Sequence, residues 1–345
     1  MIKRITILSF IIGASSFALS CSTSEPSTTK KPEKSEYYTT SFPTRDIAKQ
    51  LKSARESVLR ILVTTYYNTY NFGDRYITLA DIKTNKPKDI ATEYFSSEQS
   101  TAGTSIILQY SHDDALLITC NHVVSSADTL ITYYEGETIP PKTFIKSISI
   151  KKRENKLIFS PSNLQEFDVI ATDQRADLAL LTTSLGNNIG SIRHPLTFAA
   201  GNNDFLQIGT FLYIIGFPKG FPMITRAIAS NSKPRNSRFF ITDAIFNPGI
   251  SGGLVFASKD NFHSFQWIGM ARSATASAED VLIPKPDTDE KYGKVARPYR
   301  DSIFVQQKTR ISYGITQAIP INSIKNFIEE NKRTILRNGF SYSPK

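Results

Sequence analysis

Asn247-Pro248-Gly249-Ile250-Ser251-Gly252-Gly253-Leu254 is the stretch on which the reading of this chain turns. A serine flanked by glycines lets two backbone amides turn toward one point beside the hydroxyl, because glycine tolerates the turn and admits a substrate closely. That is the build of an oxyanion hole.

Gly249-Ile250-Ser251-Gly252-Gly253 also satisfies the G-x-S-x-G nucleophile elbow, in which the acid and the histidine follow the serine. Of the histidines only His263 lies after Ser251, and it is too close. Upstream stand Thr119-Cys120-Asn121-His122-Val123-Val124 and Asp177-Leu178-Ala179-Leu180-Leu181, which give the chain order His, Asp, Ser. This is the chymotrypsin order and excludes that of subtilisin.

With these residues the chain resembles the trypsin-like serine peptidases, and within them the bacterial HtrA branch. Thr242 to Gly253 is similar to that branch's nucleophile segment, and Thr119 to Val124 to its histidine segment. The spacing of Asp177 and Ser251 is similar to the family's, whereas that of His122 and Asp177 is longer, so something is inserted there. The resemblance implies an all-β fold: two antiparallel β-barrels with the active site in the crevice between them. His122 and Asp177 would come from the first and Ser251 from the second. Ser251 would be the nucleophile, His122 the general base and Asp177 its orienting acid, with the amides of Gly249 and Ser251 binding the oxyanion. Ile245 would floor the primary pocket, favouring aliphatic over basic residues, and Gly269-Met270-Ala271 would offer the strand edge to which substrate pairs. Ile250 departs from the Asn or Asp usual at its position and is expected to pack under the loop. No metal or organic cofactor is implied, and His112, His194 and His263 show no metal spacing.

The start of the chain gives an address. Lys3-Arg4 precedes an apolar run from Ile5 to Leu19, and Ala18-Leu19-Ser20 leads into Cys21. A charged region, a short apolar run and small residues before a cleavage point describe an export signal. Residues 1–20 resemble a bacterial lipoprotein signal with Cys21 lipidated, although Ala18 stands where leucine is more usual; plain secretion is the alternative. The protein would face the periplasm or the cell exterior, joined to the membrane by lipid. Cys120 is the only other cysteine and reads as a small buried hydrophobe. Lys and Arg number 41 against 31 Asp and Glu, net +10, which suits anionic envelope surfaces. The run Lys151-Lys152-Arg153 reads as a solvated loop and does not suffice for nucleic-acid binding.

Residues 21–44 are rich in Ser, Thr, Pro, Lys and Glu and read as a tether. The peptidase domain is expected over residues 45–335, with a tail at 336–345. Ile47, Leu51, Ala54 and Val58 recur at helical spacing, predicting a helix to about Glu56, and Val58–Tyr67 reads as the first strand. Residues 68–100 read as a polar excursion. Short strands then follow in two sets with no βαβ rhythm, the second comprising Phe211–Gly216, Ala227–Asn231, Phe239–Thr242, Gly253–Ala257 and Phe265–Met270. Arg272–Arg310, proline-containing and charged, reads as a long loop beside the pocket, after which Ile311–Pro320 resembles the closing strand and a terminal helix runs to Lys332. No PDZ domain is expected after this helix. The rival from another class is a non-hydrolytic, peptidase-like envelope lipoprotein that captures unfolded chains.

Overall fold

In the computed structural model, residues 36–134, 140, 142–160, 164–184, 193–233, 238–284 and 303–344 are described. The expected signal and Cys21 lie outside them.

The β-branched and aromatic run after the first helix, α1 (Ala48–Glu56), forms a long strand, β1 (Val58–Asn71), whose side chains alternate between buried and half-buried. That alternation is what a sheet with one face on the core requires. Strand β1 is flanked by β2 (Glu93–Ser111) and β5 (Ile145–Phe159), both antiparallel to it. With β3 (Asp114–Thr119), β4 (Thr129–Tyr133), β7 (Asp168–Asp173) and β8 (Leu178–Ser184) they form a sheet ordered β4-β5-β1-β2-β3-β8-β7, and β6 (Leu164–Glu166) adds to β5.

The second sheet contains β9 (Ala199–Ala200), β10 (Phe211–Gly216), β11 (Met223–Asn231), β12 (Phe240–Thr242), β13 (Leu254–Ala257), β14 (Gln266–Pro284) and β15 (Ile303–Pro320). Its order is β13-β10-β11-β12-β15-β14-β9, and β13 also pairs with β14, which closes the ring. Closure removes unpaired edges and fixes the interior. The fold is therefore all-β, a half-barrel followed by a closed barrel, as a trypsin-like two-barrel arrangement requires. One continuous core runs through both, from Ile107 and Leu117 in the first to Tyr213 and Phe256 in the second, while Leu212, Ile214, Val255 and Ile268 fill the closed barrel. The chain ends in α5 (Ile321–Glu330), whose Ile321, Ile324, Phe327 and Ile328 are buried, and α6 (Lys332–Arg337).

Several expectations are corrected. The polar excursion at 68–100 is structured at both ends and in the middle: β1 and β2 continue past the barrel and are bridged by α2 (Leu79–Thr84) and α3 (Pro87–Ile90), over a small core of Phe72, Ile145 and Ile148. The basic run is no loop. It lies within β5, where Lys151 pairs with Asp128 at 2.8 Å and Arg153 stacks on the Tyr66 ring at 4.3 Å. The tether ends earlier than residue 44, because Tyr38 is buried and its hydroxyl donates to Gln266 Oε1 at 2.9 Å. The residues after 335 are not a loose tail: Phe340 is buried in the main core, and Ser341 N donates to Gln109 Oε1 at 3.0 Å. In both cases aromatic rings bury enough apolar area to order a polar segment. Finally, the described parts of the span 272–310, residues 272–284 and 303–310, are not a structureless loop. Strands β14 and β15 pair from Gly269↔Pro320 out to Pro284↔Ile303, a long ribbon with bulges near its base.

Candidate active site

Strand β3 delivers its chain into α4 (Asn121–Val124), a single turn that carries His122, and a tight turn before β8 carries Asp177. That turn is fixed by the Asp173 carboxylate, which accepts from the amides of Arg175 (2.7 Å) and Ala176 (3.0 Å). Asp177 itself has φ +59°, a conformation a non-glycine residue holds only where its surroundings enforce it. Its carbonyl accepts from Asn121 N at 3.1 Å, so the two loops lock together. The Asp177 carboxylate takes the His122 amide on Oδ1 at 2.9 Å and faces His122 Nδ1 from Oδ2 at 2.8 Å. Burial would push this carboxyl up, but the hydrogen bond and charge of His122, its amide and the nearby Arg272 outweigh that and hold it below the usual range. The His122 side chain is 41% exposed and that of Asp177 6%, so the ring presents its far edge outward while its partner stays dry.

The nucleophile-type turn precedes β13. Gly249 has φ +102°, and a Cβ there would lie 2.4 Å from the Phe217 carbonyl oxygen, so the position requires glycine. The Pro248 carbonyl accepts from Lys219 N at 2.7 Å, and the Ile250 carbonyl accepts from Gly253 N at 2.8 Å. A trans peptide holds its C=O and N–H antiparallel. These two bonds therefore aim the amides of Gly249 and Ser251 away from the protein, and neither amide has an acceptor among the described residues. Ile250 is 5% exposed and packs in the closed barrel's core, as expected.

Thr104 of β2 supports this turn from behind. Its amide donates to the Ser251 carbonyl at 2.8 Å, and its hydroxyl donates to the Gly249 carbonyl at 2.8 Å while accepting from Phe217 N at 2.9 Å. Sequence reading missed Thr104, because an isolated threonine in a strand carries no local signal. It also missed Arg272, whose Nε donates to Asp177 Oδ2 at 2.9 Å and whose carbonyl accepts the Ser251 hydroxyl at 2.6 Å.

Two pocket expectations need correction. Gly269, Met270 and Ala271 are not an open strand edge: β15 pairs along one side of all three, β13 pairs Gly269 and Met270 on the other, and Ala271 N donates to the Gly253 carbonyl at 2.8 Å. Strand β13 ends there, so the edge beside the turn begins at Arg272. Ile245 is 63% exposed and lines open surface rather than an enclosed floor. His112, His194 and His263 lie elsewhere; His194 Nε2 faces Glu56 at 3.1 Å.

Cys120 Sγ, a His122 ring nitrogen and an Asp177 oxygen lie within 4.8 Å of one another, a spacing that a cation could draw together. The donor set does not suit one. Complete burial, then the Asp177 charge, push the Cys120 thiol well up, and the Arg272 cation already occupies the carboxylate.

With this geometry in hand, comparison with known proteins gives a consistent answer. Residues 103–263 match the family profile described as trypsin-like peptidase domain. The trypsin-like match takes in His122, Asp177 and Ser251 and stops before the β14–β15 ribbon. A protein of Pseudomonas putida (strain F1) described as a probable periplasmic serine endoprotease DegP-like is 28% identical over 232 residues, covering 63% of this chain and 41% of the relative. A protein of the same description from Pseudomonas fulva is 30% identical over 165 residues, covering 46% and 27% respectively. The chain thus spans less than half the length of these curated relatives.

Gly249→Ala should lower cleavage of unfolded casein about 100-fold by displacing the turn, with the far-ultraviolet circular dichroism unchanged. Undiminished cleavage would separate the turn's shape from the chemistry.

Proposed function

We propose that the protein is a serine endopeptidase of the bacterial cell envelope that works through His122, Asp177 and Ser251. The observation that carries this reading is the buried Asp177 carboxylate holding His122 through both its backbone and its ring, beside a turn with two outward amides. The Ser251 hydroxyl first swings from the Arg272 carbonyl to His122 Nε2. His122 takes its proton as Ser251 Oγ bonds to the scissile carbonyl carbon, and the carbonyl oxygen becomes an oxyanion donated to by the amides of Gly249 and Ser251. The C–N bond then breaks, the proton passes to the leaving amine, and water hydrolyses the acyl ester by the same relay. Asp177 keeps the ring in the required tautomer and stabilises its charge.

The acceptor edge for the substrate backbone is β14 from Arg272 onward. The relatives' description as periplasmic supports a domain facing the periplasm or exterior, and the lipoprotein-like pattern of residues 1–21 is the ground for proposing lipid anchorage at Cys21. Among the described residues no helix is long and apolar enough to cross a membrane.

Ser251→Ala should abolish casein cleavage and labelling by a fluorophosphonate while leaving the thermal transition in place. A variant that still cleaves at the parent rate would sink the assignment, and a parent that resists the fluorophosphonate would favour a non-hydrolytic binding protein. Cys21→Ser should move the protein from the membrane to the soluble fraction and end incorporation of labelled palmitate.

A further inference from the structure

Arg272 belongs to none of the motifs from which the site was read, yet it touches both ends of it. The β14–β15 register slips between Ala271 and Ser273, leaving Arg272 as the extra, bulged residue. Such bulges re-aim side chains beside active sites. Here the bulge turns Arg272 Nε onto Asp177 Oδ2 at 2.9 Å, the same oxygen that faces His122 Nδ1 at 2.8 Å. The guanidinium is braced by Gln317 Oε1, 2.7 Å from Nη1, and lies 4.2 Å from the centre of the Phe239 ring. Its carbonyl holds the Ser251 hydroxyl. Asp177, Gln317 and Phe239 thus all hold the fork in place.

We propose that Arg272 is a positioning residue that holds the Asp177 carboxylate in the plane from which it directs His122. The inference rests on the peptidase reading given above. A guanidinium keeps its charge throughout the pH range of the reaction and fits a carboxylate in a fixed plane. On Asp177 it fixes Oδ2, the oxygen that faces His122 Nδ1, while Oδ1 is held by the His122 amide.

The test is the rate of fluorophosphonate labelling of Ser251 in the full chain, read beside the low-field proton resonance of the His122 Nδ1–Asp177 hydrogen bond. Parent labelling that fails altogether would overturn the peptidase reading, not this one. Given a labelled parent, R272Q should lower the labelling rate roughly 10-fold and weaken or shift that resonance, with the thermal transition in place, whereas R272K, which keeps the charge but not the planar fork, should restore neither in full. R272M keeps the stem over Phe239 and serves where R272Q does not fold. A labelling rate and a resonance that both stay at the parent's in R272Q or R272M would overturn the proposal.

Discussion

Three hydrogen bonds made by one threonine hold the two halves of this site together. Thr104 sits in the first sheet, yet its amide and hydroxyl engage Ser251, Gly249 and Phe217, all of the second. Each is buried, and a buried backbone carbonyl left without a donor costs on the order of 1–3 kcal/mol. The turn can therefore not relax away from the first sheet without losing its partners. Thr119 continues the chain, its hydroxyl donating to the Thr104 carbonyl at 2.6 Å, one residue before Cys120 and three before His122. The histidine loop and the serine turn are in this way referred to the same strand.

Around that joint the molecule enlarges the trypsin-like plan in two places. Strands β1, β2 and β5 run on past the first sheet's core and acquire a small core of their own, and β14 and β15 run on past the second. Both extensions grow from strands that already carry the site, so the added residues continue existing ladders rather than interrupt them. This is why long polar insertions are compatible with an unbroken core: their strand residues find backbone partners in ladders continuous with those of the sheets.

The sequence was most legible where local pattern and tertiary role agree. Phe211–Gly216 is an uninterrupted apolar run and is a fully buried central strand over those residues. The motifs around His122, Asp177 and Ser251 stood out by their order along the chain, and the structure brings the first two into contact. Legibility failed where the deciding partner is remote. Tyr38 sits in a Ser- and Thr-rich stretch whose average composition hides one ring that finds Gln266. Lys151-Lys152-Arg153 resembles a solvated loop until Asp128, Glu154 and the Tyr66 ring are brought beside it. The open edge of β14 was placed at Gly269–Ala271 because periodicity does not reveal where a neighbouring strand stops, and β13 stops opposite Met270. Arg272 was invisible for the same reason: the bulge that turns it onto Asp177 exists only in the paired register.

The docking of Tyr38 and Thr39 bears on where the chain enters the domain. Tyr38 grips Gln266 at the start of β14, while Thr39 donates to the Ser258 carbonyl at 2.8 Å and accepts from Phe211 N at 2.9 Å at the start of β10. The segment ahead of α1 is thus tied to the closed barrel before the chain enters the first sheet, and the serine turn sits on that same barrel, so the two share one support.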